Sequence, residues 1–220
     1  PSKDAPATDR EVGIDLGVKT LATLSDGTKI ENPRGLERYE RKLAREQRRL
    51  SRRKGARKSE KQSRRYLKQR KRVARIHAKI ADARTDALHK ITTMLADENQ
   101  VLCMEDLNAK SMMKNHHLAK AVTDASFGEF ARLLEYKCAE RGRSLVKIGR
   151  FYPSSKTCSA CGHRLDALPL SVRSWDCPAC GAHHDRDVNA ARNILTEGKR
   201  ILSNTEGTAG HAGTVAATTA

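Results

Sequence analysis

The sequence is poor in aromatic residues, in acidic residues and in long apolar runs. Its 220 residues include one Trp, four Tyr and three Phe. No apolar run approaches the roughly 18–20 residues that a membrane-spanning helix needs, and the first ten residues lack the apolar stretch of a signal peptide. These absences argue against a membrane protein and against a secreted one. We expect a soluble, intracellular chain with one main domain and a small appendage.

Basic residues are abundant instead. The chain has 43 Lys or Arg and 26 Asp or Glu, a formal net charge of +17, and such a charge favours polyanionic partners. Nucleic acid is therefore the leading partner, ahead of an anionic membrane. Residues 34–75 alone hold 20 Lys or Arg and four Glu, which gives 20 minus 4, or +16.

This basic segment has two interpretations. It could be a solvated helical hairpin whose charges only keep the protein soluble. Its four Glu are too few to pair with the cations at helical spacing, so we expect the segment to contact nucleic-acid phosphates. With few aromatic residues, such contact would be largely independent of base sequence. The possible stacking residues, Tyr39, Tyr66 and Trp175, could equally pack inside the protein.

Four of the six cysteines form two Cys-x-x-Cys pairs separated by 15 residues: Cys158, Cys161, Cys177 and Cys180. In an intracellular chain this spacing predicts four thiolates around one structural zinc ion rather than two disulfides. Gly162 and Gly181 follow the two pairs and can adopt the backbone conformations that aim N–H groups at sulfur.

The remaining cysteines, Cys103 and Cys138, lie on apolar faces, and we expect them to be buried thiols. Three histidines near the cysteine pairs, His163, His183 and His184, could in principle compete for the metal. Because four cysteines already complete a zinc site, we expect these histidines at the surface or against nucleic acid.

The hydrophobic pattern predicts a mixed α/β layer fold. Period-two and short apolar runs predict strands, and spacings of three, four and seven predict helices. The predicted strands are 11–16, 20–24, a short run near 29–31, 100–104 and 144–148, and the predicted helices are two segments within 36–99 divided at Gly55, then 127–138 and 187–195.

Three acidic residues lie where predicted elements begin or end. Asp15 and Glu105 end strand-like runs, and Asp187 opens a helix-like run. Carboxylates that converge at one edge of a sheet can hold hard divalent cations, which bridge to phosphate. Taken singly, each could also be a turn or helix-cap residue.

Four segments carry a family resemblance: GIDLG at 13–17, MEDLN at 104–108, PSSKTCSACG at 153–162 and DRDVNAARNI at 185–194. In this order they resemble the TnpB (OrfB) proteins of bacterial insertion sequences, over roughly residues 11–200. The resemblance implies an RNase H-like (RuvC) mixed sheet with a long basic helical insertion and an inserted zinc ribbon. It also implies an RNA-guided DNA endonuclease related to type V CRISPR effectors, with a transposon-derived guide RNA.

The resemblance assigns roles to the three acids. Asp15, Glu105 and Asp187 match the family's catalytic ligands for Mg²⁺ or Mn²⁺, and Asp185 is left as a local hydrogen-bonding residue. Two ions about 4 Å apart would share Asp15 and cut the phosphodiester by in-line attack. The four-cysteine zinc site would be structural, because it leaves no open coordination position.

The resemblance also divides the chain. We expect a flexible N-terminus (1–10), RuvC-like parts I (11–35), II (100–150) and III (183–202), the basic helical insertion (36–99), the zinc ribbon (151–182) and a disordered tail (203–220). The protein is expected in the cytoplasm of a bacterium or archaeon, associated with the nucleoid, with DNA and guide RNA as partners.

One departure from the family leaves alternatives open. The chain begins fourteen residues before Asp15, so the N-terminal half that helps to bind guide RNA and recognises the target-adjacent motif is expected to be missing. A catalytically silent zinc-ribbon fragment that binds DNA or RNA is one alternative. A structural RNA-binding protein of ribosomal type is another, although it would not need the three acids.

Overall fold

The computed structural model describes residues 8–33, 35–54, 62–107, 126–206 and 215–216. The predicted helix break at Gly55 and most of the N-terminus expected to be flexible lie outside these residues. The chain divides into two compact units, one formed by 1–32 with 90–220 and the other by 33–89.

The first unit contains eight strands among its described residues. They are β1 (Glu11–Leu16), β2 (Thr20–Leu24), β3 (Lys29–Glu31), β4 (Val101–Glu105), β5 (Ser144–Ile148), β6 (Ser174–Asp176), β7 (His183–Asp185) and β8 (Val215–Ala216). Six form one mixed sheet in the order β3-β2-β1-β4-β5-β8, and β6 pairs with β7 in a separate antiparallel hairpin.

Turn chemistry and crossover connections explain why the large sheet is mixed. Gly27 has a φ of 96° and the Asp26 carboxylate accepts the Thr28 N–H, which closes the tight turn of an antiparallel hairpin. Strand β4 is reached only after a long excursion of the chain, and it runs parallel to β1. Strand β5 follows a helical crossover and runs parallel to β4.

Four helices accompany the strands in the described residues: α1 (Gly35–Arg52), α2 (Arg64–Glu98), α3 (Phe127–Glu140) and α4 (Arg186–Glu206). None of these is both long and apolar enough to cross a bilayer. The mixed α/β architecture predicted from the sequence is therefore confirmed.

The predicted disorder of 203–220 is wrong at its start and at the short strand β8. Helix α4 continues to Glu206 because Ile201 and Leu202 pack on the core beneath it and the Thr205 hydroxyl donates to their carbonyls. Strand β8 pairs by backbone groups with the open edge of β5. The hydroxyl contacts of Thr205 and the backbone pairing of β8 do not depend on apolar periodicity, so its absence from the tail did not exclude them.

Helix α4 lies very close to the sheet because two glycines remove side chains from the contact. A Cβ on Gly13 of β1 would come within 1.9 Å of the Ala191 carbonyl oxygen, and one on Gly198 would come within 2.3 Å of Cys103 Sγ. Cys103 and Cys138 are fully buried, as predicted, and burial raises the pKa of each thiol to about 12.

The second unit is built on α1 and the first part of α2. Their shared apolar surface consists of Leu43, Val73, Ile76 and Ile80, with Tyr39 and Leu50 at its margin. Tyr39 therefore packs in the protein rather than standing free as a stacking residue. Glu46 is buried as well and accepts from Arg49 and Gln69, so one of the segment's few acids is used internally.

Gly13→Ala should lower the free energy of unfolding by at least roughly 1–3 kcal/mol, because the new methyl group overpacks a backbone contact. Equilibrium denaturation measures this change. The matched control is Gly128→Ala in α3, where a Cβ meets nothing within 4 Å and where Ala is the better helix former. Equal stability of the two variants would contradict the close approach of α4 to β1.

Candidate active site and metal centre

Asp15 and Glu105 lie side by side at the carboxyl ends of neighbouring parallel strands. The register pairs Ile14 with Met104, so the next residue on each strand occupies the same position along the sheet. Residues in register on adjacent strands point to the same face, about 4.8 Å apart. The sheet thus brings together two carboxylates that are 90 positions apart in sequence.

Asp187 reaches the same place from the first turn of α4. Its neighbour Asp185 has another role, since its carboxylate accepts the N–H groups of Asp187 and Val188 at 3.0 and 3.1 Å and thereby caps the helix. The other oxygen of Asp185 accepts from Lys29 Nζ at 2.7 Å. Asp185 is a local hydrogen-bonding residue, as expected.

One cavity of about 520 Å³ contains all three predicted acids. Basic side chains line it as well, and Arg173 Nη1 lies 3.8 Å from Asp187 Oδ1. The exposed side chain of Leu170 adds an apolar part of the wall. The charged and polar lining residues are Asp15, Glu105, Asp187, Lys19, Arg173, Arg186, Thr20, Thr23, Ser154 and Ser155.

The electrostatics of this cavity favour a cation. Burial, followed by the charges of Glu105 and Asp187, raises the pKa of Asp15 from its ordinary value to about 8. Burial also raises the pKa of Glu105, against the opposing hydrogen bond from Ser154. A donor set of three carboxylates with mutual repulsion fits Mg²⁺ or Mn²⁺, which prefer oxygen ligands.

The four predicted zinc ligands form a tighter group. The sulfur atoms of Cys158, Cys161, Cys177 and Cys180 all lie within 4.8 Å of one another, and in the described part of the chain no other three or more metal-ligating groups do so. The Cys158–Cys180 and Cys161–Cys177 sulfur distances are both 3.7 Å. Tetrahedral zinc with Zn–S bonds near 2.3 Å requires about 3.8 Å, so these thiols fit zinc, whereas the three carboxylates are more widely spaced.

The backbone around the thiols is arranged for thiolates. Gly162 and Gly181 have φ values of 79° and 73°, the left-handed conformation expected for them. Burial of Cys177 opposes ionisation, but the N–H groups of Cys180 and Ala179 hydrogen-bond its sulfur and lower the pKa to about 6. The backbone thus supports the thiolate form of Cys177, the form that metal binding requires.

The prediction that His184 lies at the surface is wrong. His184 is 4% exposed, its ring lies 4.8 Å from that of Trp175, and its Nε2 lies 3.0 Å from Cys158 Sγ. Burial lowers the pKa of His184, so the neutral ring can donate one N–H to the thiolate. Trp175 packs with Cys158 and Cys177 instead of standing free. His163 and His183 are exposed, as expected.

Several residues of the site were not found from the sequence. Arg173 and Arg186 line the acid cavity, and Ser154 donates its hydroxyl to Glu105. Two asparagines on α4, Asn189 and Asn193, are buried. Their spacing of four, on the face of the helix that carries its apolar residues, is the one sequence signal that could have identified them.

Comparison with protein families matches two parts of the chain. Residues 1–116 match the OrfB_IS605 family, described as "Probable transposase". Residues 127–194 match the Cas12f1-like TNB domain.

Individual relatives extend these matches. A Streptomyces pristinaespiralis protein named "Putative RNA-guided DNA endonuclease" is 50% identical over 194 residues, which are 88% of this chain and 46% of that protein. Escherichia coli K12 InsQ, with the same description, is 35% identical over 207 residues, which are 87% of this chain and 50% of InsQ. The chain therefore spans about half the length of these relatives.

A solved structure has the same fold. One chain in a cryo-EM structure of a Cas12f1–sgRNA–target DNA complex matches with a TM-score of 0.56 and 21% identity. The match covers 86% of this chain and 40% of that one.

His184→Ala should weaken zinc binding about 10–100-fold, the usual effect of removing a partner of a metal ligand. Competition with a chromophoric chelator measures the affinity. His184→Gln, which keeps an N–H donor, should recover part of the loss, and the exposed His183→Ala is the control. Wild-type affinity in His184→Ala would mean that the 3.0 Å contact has no effect on the metal.

Asp15→Asn should stabilise zinc-loaded protein at pH 8 in the absence of other divalent cations, on the order of 1–5 kcal/mol. The folded-state pKa of Asp15 is raised to about 8, so the wild type loses stability as pH rises from about 4 to 8. Denaturation at both pH values measures the effect, and Mg²⁺ should stabilise only the wild type. If the free energies of unfolding of the wild type and Asp15→Asn change in parallel with pH, the raised pKa of Asp15 is wrong.

Proposed function

Because the chain belongs to the TnpB (OrfB) family of insertion-sequence proteins, we propose that it is the nuclease part of a transposon-associated DNA endonuclease. In the whole protein this activity would be metal-dependent and guided by RNA. The observation that carries the proposal is the meeting of Asp15, Glu105 and Asp187 in one cavity with basic walls. Two relatives that are named putative RNA-guided DNA endonucleases agree with it.

The proposed reaction is hydrolysis of a DNA phosphodiester at the three acids. Asp15, Glu105 and Asp187 would hold Mg²⁺ or Mn²⁺, which when bound activates water and stabilises the leaving oxygen. Arg173 and Arg186 line the same cavity, where their guanidinium groups could contact phosphate oxygens.

We infer that the first unit is a RuvC-like domain of the RNase H type with an inserted zinc ribbon. The mixed sheet, the acids at the ends of β1 and β4, and the closing helix α4 support this assignment. The four thiols and the hairpin of β6 and β7 support the ribbon. On this basis we keep the ribbon at 151–182, as expected from the sequence, and we propose that RuvC-like part III extends to the end of α4 at Glu206.

The second unit is proposed to contact nucleic acid. Its apolar residues and Glu46 are used between α1 and α2, while many of its Lys and Arg side chains remain exposed. Lys42, Arg72, Arg75 and Lys79 line one small cavity on this unit. Such a surface suits the phosphates of guide RNA or of the target duplex, and a bacterial or archaeal nucleoid would be its location.

A binding function without cleavage is the second candidate. The wider spacing of the three carboxylates, compared with the four thiols, favours it. In that case the ribbon and the basic unit would still hold nucleic acid, but divalent cations would not support hydrolysis.

Asp15→Ala and Glu105→Ala should each reduce Mn²⁺-dependent cleavage of single-stranded DNA on the order of 10²–10³-fold, as expected when a group that stabilises transition-state charge is lost. Each variant should still bind DNA, because the basic residues are unchanged. Gel-based cleavage and binding assays on the zinc-loaded chain measure both properties. The matched control is Asp106→Ala, an exposed carboxylate next to Glu105 that pairs with Arg150. Equal cleavage by the wild type and the three variants would contradict the nuclease function and favour binding without cleavage.

A further inference from the structure

Glu105 has one side-chain partner that does not belong to the acid cluster. The Ser154 hydroxyl donates to Glu105 Oε1 at 2.5 Å, and Ser154 itself is 6% exposed. A hydrogen bond from a neutral donor to a carboxylate is short and directional. It therefore fixes the orientation of Glu105, whose negative neighbours would otherwise repel it.

Two buried asparagines on α4 fix the position of Ser154. Asn189 and Asn193 are 1% and 5% exposed, and their spacing of four places both amides on one face of the helix. Asn193 Nδ2 donates to the carbonyl oxygens of Ser154 and Thr157 at 2.7 and 2.6 Å. Asn189 Nδ2 donates to the Thr157 carbonyl at 2.7 Å. The two asparagine side chains thus hold the segment from 154 to 157, in addition to its backbone turn hydrogen bonds and the bridge between Thr157 and Arg164.

Asn189 also binds the first zinc knuckle. Its Oδ1 accepts the N–H of Ser159 at 2.9 Å, and Ser159 directly follows the zinc ligand Cys158. A single amide group therefore contacts the knuckle through its oxygen and the segment carrying Ser154 through its nitrogen. Asp187 lies only two residues before Asn189 on the same helix.

The choice of hydrogen-bond donors in this segment is more specific than stability of the fold alone would require. Buried carbonyls need a donor, and any donor would satisfy those of Ser154 and Thr157. The donors are instead two amides from the helix that carries Asp187. The hydroxyl of Ser154 in turn donates to the carboxylate of Glu105. Zinc knuckle, asparagine pair, serine and acid form one continuous hydrogen-bonded path.

We propose that Ser154 is a positioning residue for Glu105, and that Asn189 and Asn193 make its position depend on the folded zinc knuckle. The inference rests on the proposed function, because it takes Glu105 as a ligand of the divalent cation. Zinc would then support the acid site at a distance, through the orientation of one carboxylate.

Mn²⁺ binding to the zinc-loaded 220-residue chain, measured by electron paramagnetic resonance, tests the first part. Ser154→Ala should raise the Kd for Mn²⁺ about 10–100-fold, as for other partners of metal ligands, with unchanged zinc content. Ser154→Thr, which keeps the hydroxyl, should restore most of the affinity. Ser203→Ala, which removes an exposed hydroxyl that donates to the Lys199 carbonyl within α4, should leave it unchanged. Equal Kd values for Ser154→Ala and wild type overturn the proposal.

A double-variant comparison tests the dependence on the asparagines. Asn193→Ala should weaken Mn²⁺ binding, and adding Ser154→Ala to it should cause little further loss, because both act through one hydrogen bond. Asn99→Ala is the matched control, since Asn99 is a buried amide that donates to the Leu95 carbonyl elsewhere. If the two losses multiply, or if Asn99→Ala weakens Mn²⁺ binding equally, the path through Ser154 is wrong.

The same data separate this inference from the proposed function. If Mn²⁺ binding requires Asp15 but is indifferent to Ser154 and Asn193, the acid site stands and only the positioning role fails. If the wild type binds no Mn²⁺, or binds it equally after Asp15→Ala, both fail together.

Discussion

The close contact between α4 and the sheet is the constraint on which the other features depend. Gly13 and Gly198 allow the helix to approach β1 and β4 at distances that a methyl group would prevent. This approach sets the first turn of α4 beside the carboxyl ends of both strands, where Asp187 meets the other two acids. It also presents Asn189 and Asn193 to the segment that enters the cysteine cage. One helix thereby contacts the core, the acid cavity and the segment that leads to the four clustered cysteines.

The acid cavity concentrates negative charge that folding alone would disfavour. Burial and like charges raise the pKa of Asp15, and the surrounding Arg173 and Arg186 offset only part of this repulsion. The protein therefore carries a local conflict between stability and charge, which is a frequent property of functional sites. Cys177 in the thiol cage has the opposite character, since backbone N–H groups are aimed at its sulfur and support its ionised form.

The sequence was a good guide where the signal was local. An apolar run bounded by polar residues predicted β5 at Ser144–Ile148 with the observed limits, and the cysteine spacing predicted the thiol group. Burial of His184 could not be read from the chain, because it depends on Trp175 and Cys158 arriving from other elements. The hydrogen bond between Ser154 and Glu105 spans 49 positions and has no local signature either. Contacts between residues far apart in the chain cannot be predicted from the spacing of residue types along the sequence.

The order of the acids along the chain has a consequence for biosynthesis. Asp187 leaves the ribosome 172 residues after Asp15, on the helix that covers Gly13. Until α4 has been made, the sheet lacks its covering helix and the three carboxylates have no means of meeting. Such long-range closure slows folding and leaves apolar surface open in the meantime. A nascent chain must therefore pass through a long stage in which it is exposed to aggregation but has no assembled acid site.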